Sequence, residues 1–302
     1  MSGLVGSWSA VEGAGPWELG EGLRAVPGGL VAVDLLAGRL YRLDPTVLAA
    51  RVPFPLGAVA PVTAPGGPHG WIAAAGTGIA LLPADGSADG VRWLARPEDG
   101  AATAMRMNDG AADPAGRFWA GSMAYDGTRG AGSLYRVDRD GAVTAAMGGL
   151  TVPNGPAFSA DGRTMYLADS ALGLIYRVPV DPASGEAGGR EVFARVPDGS
   201  PDGMTVDAEG CLWSAVWGAA AVHRYAPSGE LLAVVAVPAE QPTSVCLTPS
   251  PPYRIVVTTA LYGLGDRPEG AADGRVLAAP AAVGGRPADP FRPVSPAGTR
   301  TL

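Results

Sequence analysis

GRLYRLDP at 38–45, GSLYRVDRDG at 132–141, GLIYRVPVDP at 173–182 and AAVHRYAPSG at 220–229 are four versions of one phrase. Small residues lead into two apolar positions, then an Arg, one more apolar residue, and a turn rich in Asp, Pro or Gly. The arginines fall at 42, 136, 177 and 224; the last three are spaced 41 and 47 residues apart, and the first gap, 94, is twice 47. A worn copy, GIALLPADG at 78–86, lies inside that double gap, and GRVLAAPAA at 274–282 continues the series beyond 224. Self-similarity at such a period marks a repeat architecture, in which each unit buries its apolar face against the next.

A second phrase precedes several of these units: DPAGRFWAGSM at 113–123, SADGRTMYLADS at 159–170 and DAEGCLWSAVWG at 207–218. Each is an Asp/Gly turn followed by an alternating apolar run. Hairpin turns with period-two alternation describe antiparallel strands. Six units over 302 residues predict an all-β six-bladed β-propeller with four antiparallel strands per blade. A pair of two-sheet sandwiches would also be all-β, but would not explain the period, and no segment carries a helical stripe. The expectation is one propeller domain over 1–302, closed by a strand from about residues 3–12, with a partly irregular, Pro-rich tail over 284–302.

Composition agrees and excludes several classes. Gly (45) and Pro (29) make up about a quarter of the chain, yet 47% of residues are hydrophobic and 17% charged, which is a folded rather than a disordered balance. The net charge of −7 argues against nucleic acid and anionic membranes as partners. There is no Lys, which removes phosphate-loop and Schiff-base lysine chemistry. Two Cys and two His cannot build a disulfide framework or a His-rich metal centre. The start, MSGLVGSWSAVEGAGPW, lacks a basic region and an apolar run, so a soluble cytoplasmic protein, monomeric or weakly self-associating, is expected.

Asn occurs only at Asn108 and Asn154. Such scarcity draws attention to RMNDG at 106–110 and VPNG at 152–155, and with them ELGEGL at 18–23 and SPDGMTVD at 200–207. Each sets a carboxylate or amide oxygen beside Gly just before a strand. Taken singly, each reads first as a turn, since Asn and Asp tolerate left-handed backbone. Taken together, Glu21, Asn154 and Asp202 offer three oxygen ligands for a hard divalent cation, with Asn108 as a fourth or an outer partner. Arg106 lies two residues from Asn108, on the same strand face. It either holds substrate oxygens or pairs with an acidic rim. Trp119, Trp213, Trp217, His69 and His223 read as structural, and Cys211 carries no chemistry.

In the same order along residues 17–280, these strings resemble the family of senescence marker protein (regucalcin), gluconolactonase and luciferin-regenerating enzyme. The match is carried by RMNDGAADPAGRFWAGSM, VPNGPAFSADGRTMYLADS and SPDGMTVDAEGCLWSAVWG. The resemblance implies a six-bladed propeller with one divalent metal at its axis, calcium foremost, with zinc, magnesium or manganese as alternatives. It implies Glu21, Asn154 and Asp202 as metal ligands, Arg106, Asn108 and Asp126 as substrate contacts, and Asp202 as general base. The departure is Leu23, where many relatives have Pro. The implied reaction is hydrolysis of an aldonolactone such as gluconolactone, by water that is activated by Asp202 or carried on the metal. Hydrolysis of another ester, lactone or phosphoester, or non-catalytic metal binding, are the other readings.

Overall fold

The computed structural model describes residues 6–64, 67–266, 268 and 271–294. Their strands form six sheets of four antiparallel strands. The innermost strands are Gly20–Val26, Leu56–Ala64, Met105–Ala112, Pro153–Phe158, Ser200–Val206 and Pro242–Leu247. Blades one to six are numbered in that order. Among the described residues the only helical pieces are single 3₁₀ turns at Ala88–Gly90 and Ser170–Leu172, and none is long and apolar enough to cross a membrane.

The repeated Arg phrase is the third strand of its blade, as in Arg39–Leu43, Gly132–Val137, Leu174–Pro179 and Ala221–Tyr225. Leu134 and Arg136 share one face of this strand, as do Val222 and Arg224, with the aliphatic residue fully buried and the Arg partly exposed. Arg136 and Arg224 lie in register opposite Trp119 and Trp213. Their guanidiniums cover those indoles at 5.9 and 5.5 Å from the ring centroids, a favourable cation–π arrangement. The Asp/Gly phrase is the turn between first and second strands. Its Asp113 and Asp207 accept the indole N–H of Trp119 and Trp213 at 3.0 and 2.8 Å. Each such Trp is fully buried between its blade and the next, Trp119 with Phe158, Met165 and Leu167, and Trp213 with Val245, Leu247 and Ile255. Burying such aliphatic and aromatic groups stabilises by roughly 1.5–3 kcal/mol each.

Ring closure uses the N-terminus. Ser9 and Ala10 pair with Ala278 and Leu277 as the outermost strand of blade six; residues 3–5 of the expected closing strand lie outside the described residues. The C-terminal stretch has no regular strand, as expected, but it is pinned across the far end of the central channel. Gly285 bridges to Asp207 and Phe291 to Val62. Ala288 N–H donates to Ala25 O at 2.7 Å, Arg292 N–H to Gly116 O at 2.9 Å, and Val294 N–H to Arg139 O at 2.7 Å. Phe291 is buried against blades two and three. Residues 295–302 of the tail lie outside the described residues.

Candidate metal centre

All six innermost strands break register with their neighbour near the same level: between Glu21 and Arg24, Leu56 and Ala58, Met107 and Gly110, Asn154 and Ala157, Pro201 and Met204, and Pro242 and Ser244. Bulges of this kind re-aim side chains that a regular strand would send sideways. Glu21, Asn108, Asn154 and Asp202 all lie at these bulges, at the N-terminal ends of four innermost strands, and all are buried. Blade two offers Gly57 instead, where a Cβ would stand 1.8 Å from the Asn108 carbonyl oxygen. Glycine there lets blades two and three approach closely.

One chain of hydrogen bonds runs through the amides. Arg106 Nη1 donates to Asn108 Oδ1 at 2.7 Å and to Met107 O at 3.0 Å. Asn108 Nδ2 donates to Asn154 Oδ1 at 2.9 Å and to Pro153 O at 2.8 Å. Asn154 Nδ2 donates to Ser170 Oγ at 2.8 Å, and Ser170 Oγ donates to Pro201 O at 2.6 Å. The last bond fixes the rest. Because the Ser170 hydroxyl hydrogen goes to a carbonyl, its oxygen must accept, so Asn154 turns its NH₂ toward Ser170 and its oxygen toward Asn108. That oxygen keeps one free lone pair. Asn108 spends both amide hydrogens and joins Arg106 to Asn154.

The carboxylates are held at odds with their surroundings. Burial pushes the Glu21 carboxyl well above its usual range, and the charges of Asp202 and Asp109 push it further, against the Gly22 N–H and Arg106. Burial and Asp109 raise the Asp202 carboxyl likewise, opposed by the Gly203 N–H and Arg106. Asp202 Oδ1 is buried with no hydrogen-bond partner. An unpartnered carboxylate oxygen, a second buried carboxylate and an amide oxygen with a spare lone pair are the donor set of a hard divalent cation. These residues fit such an ion.

Asp126 is not drawn into this chain of bonds. It is exposed at the rim, where its Oδ1 accepts from Thr128 N at 2.9 Å and Thr128 Oγ1 at 2.7 Å, and its Oδ2 from Thr103 Oγ1 at 3.3 Å. A carboxylate two residues before Thr folds back on its own turn. Its neighbour Tyr125 stands 5.8 Å from the Arg106 guanidinium. Two axial residues escaped the sequence reading, Arg24 and Asp109. Their signals were an Arg inside the apolar strand LRAV and a second acid directly after Asn108. Asp207, Glu209 and Cys211 also approach one another. Arg224 occupies that cluster, reaching Asp207 Oδ2 at 2.7 Å and Glu209 Oε2 at 2.6 Å, so a cation already neutralises it.

Fold and site together define an axial-site β-propeller with a buried cluster of oxygen donors at one end of its channel. The sequence model of the SMP-30/gluconolactonase/LRE-like region matches residues 19–261, and the chain belongs to that family. The 6-deoxy-6-sulfogluconolactonase of Pseudomonas putida is 39% identical over 218 residues, 70% of this chain and 72% of the relative. A pentonolactonase of Haloferax volcanii is 36% identical over 270 residues, 84% and 87% of the two chains. Among solved structures, the calcium-binding protein regucalcin of Agrobacterium tumefaciens superposes with a TM-score of 0.82 at 30% identity, covering 94% of this chain and 98% of that one.

Proposed function

We propose that this chain hydrolyses a sugar lactone at the axial site, with Glu21, Asn154 and Asp202 holding one divalent cation, calcium foremost. The observation that carries the reading is the buried Asp202 Oδ1 without a partner, set among a second carboxylate and two amides. The lactonase names of the family relatives support the substrate class. When bound, such a cation polarises a lactone carbonyl and stabilises the negative charge that develops on its oxygen.

The chain's own groups do the rest. Among the described residues Arg106 donates to the protein through Nη1 alone, which leaves Nη2 and Nε to grip lactone oxygens and orient the ring. Asn108 holds that guanidinium in place. Asp202 takes a proton from the attacking water and returns it to the ring oxygen as the acyl C–O bond breaks, so lactone and water become one hydroxy acid. Asp126, at the rim, meets hydroxyls of a sugar that extends outward.

A panel of aldonolactones, followed by acid release with and without added calcium, zinc, magnesium or manganese, tests the reading. Turnover of at least one sugar lactone that is abolished by chelation and restored by metal is expected. Full activity in protein shown by elemental analysis to be metal-free would overturn it.

A further inference from the structure

Asp109 shares a bulge with Asn108, but its carboxylate is bound by other blades. Oδ1 accepts from its neighbour Gly110 N at 2.7 Å and from Arg24 Nη2 of blade one at 3.1 Å, and Oδ2 accepts from Gly155 N of blade four at 3.0 Å. Arg24 also donates to Gly110 O at 3.1 Å and Leu23 O at 2.9 Å. One ion pair, with side chains 10% and 2% exposed, thus ties together the strands that carry Glu21, Asn108 and Asn154. Directly beyond it opens an axial cavity of about 70 Å³, lined by Arg24, Thr205 and Cys246 and closed by the tail at Ala288 and Asp289.

A support alone does not call for charges. Replacing a buried ion pair by neutral groups of similar shape is often harmless to stability, because the desolvation cost of two ions offsets their attraction. This pair stands where charge matters, since Arg24 lies three residues from Glu21 on one innermost strand, and Asp109 follows Asn108 and accepts from Gly155 N, next to Asn154. Counted as ionised, Glu21, Asp109 and Asp202 with Arg24 and Arg106 sum to one net negative charge, and losing Asp109 or Arg24 moves that sum in opposite directions. Three donors engage the Asp109 oxygens, so Asp109 acts through the ligands.

We propose that the Arg24–Asp109 pair is a charge-setting support of the cation site. Asp109 adds the third negative charge that draws a divalent ion to Glu21 and Asp202, and Arg24 balances and positions it. Both are positioning residues, and the inference rests on Glu21, Asn154 and Asp202 holding a cation.

Calorimetric titration of chelator-stripped full-length chain with calcium, at fixed neutral pH and low salt, tests it without measuring turnover. Asp109→Asn is expected to bind calcium about 10–100-fold more weakly, the usual range for a lost outer partner. Arg24→Gln removes a positive charge, so it binds at least as tightly as the wild type, and the double variant falls between the singles. Circular dichroism establishes which variants fold. Should Asp109→Asn not fold, Arg24→Gln must still bind more tightly than the double variant. Equal losses in Arg24→Gln and Asp109→Asn, or unchanged binding in Asp109→Asn, overturn the charge-setting role alone. A wild-type chain that takes up no calcium, magnesium, manganese or zinc overturns the cation reading, and this inference with it.

Discussion

Asp202 and Asp207 are five positions apart, one near the start of an innermost strand and the other just past its end, and both are buried, yet their surroundings are opposite. Asp207 is saturated. Its Oδ1 accepts from Glu209 N and Cys211 N, both at 2.9 Å, and its Oδ2 from Trp213 Nε1 at 2.8 Å and Arg224 Nε at 3.0 Å. Asp113 repeats the pattern in blade three with Arg117 N and Trp119 Nε1. Asp202, at the channel end, leaves Oδ1 with no partner. A carboxylate kept for stability is supplied with donors by its own turn and blade. Asp202 is left short of donors, and burial favours its neutral form; under the proposed function that shortage is what a cation fills.

The largest effect expected from this contrast is on turnover. Asp202→Asn should lower kcat/KM by roughly 10²–10⁴-fold, the range for losing a positioned acid–base group. The metal-free protein should lose no stability, since a buried and poorly paired charge has gone. Steady-state kinetics and thermal melts of the stripped protein read both sides; retained turnover would erase the distinction. Asp207→Asn should do the reverse. Stability falls by about 3 kcal/mol, the low end for breaking a buried ion pair, while turnover per folded molecule stays near wild type. Urea unfolding measures the first, and active-site-normalised rates the second.

The fold was legible because it is written redundantly. Repeated turns and alternating strands mark the blades, and in four of the six third strands the Arg keeps its place, even where Tyr gives way to His223. The amides at the channel end stand out in the sequence because Asn108 and Asn154 are the only asparagines in the chain. Arg24 and Asp109 do not, because nothing local separates an axial ion pair from a turn acid and a strand cation. Only the ring brings blades one, three and four together there. Asp126 shows another limit, since its residue type suits a substrate contact but nothing local announces that it lies exposed at the rim with Thr128 and Thr103 donating to it. The tail's composition announces irregularity but not that it crosses the channel floor.

Arg106 and Glu21 sharpen the contrast within the site itself. If Arg106 grips the lactone as proposed, Arg106→Ala removes a charged donor and kcat/KM should fall by about 10–100-fold, in keeping with roughly 1.5–3 kcal/mol for a hydrogen bond to a charged group. Calcium affinity should not fall, because a nearby positive charge is lost. Glu21→Gln should weaken the cation first, and turnover only as a consequence. Excess metal then restores part of the Glu21→Gln activity and none of the Arg106→Ala loss. Rescue of Arg106→Ala by metal would mean that the two roles are exchanged.

The smallest effect concerns Glu98, a third buried carboxylate and one of the satisfied kind. Its Oε1 accepts from Tyr135 Oη at 2.8 Å and from the Ser122 hydroxyl. Burial first, and the bond to Glu98 second, push the Tyr135 phenol from its ordinary 10.0 up to about 12. Burial alone carries Tyr225 to about 12. The sign follows from proton counting. Between pH 10 and 12 the folded chain keeps protons that the unfolded chain has released, so stability declines as pH rises through that window and is unaffected below it. Tyr135→Phe should flatten part of that alkaline decline, at a cost of about 1 kcal/mol at neutral pH for the lost hydrogen bond. Tyr225→Phe should flatten it too, through loss of a buried phenol rather than of a carboxylate partner. Asp202→Asn should leave the slope as it is, because it removes no phenol. Melting temperatures of the four proteins across pH 9–12 decide the matter. If Asp202→Asn flattened the curve and Tyr135→Phe did not, the alkaline decline would belong to the channel end, and the division between saturated and open carboxylates would fail where it is most easily measured.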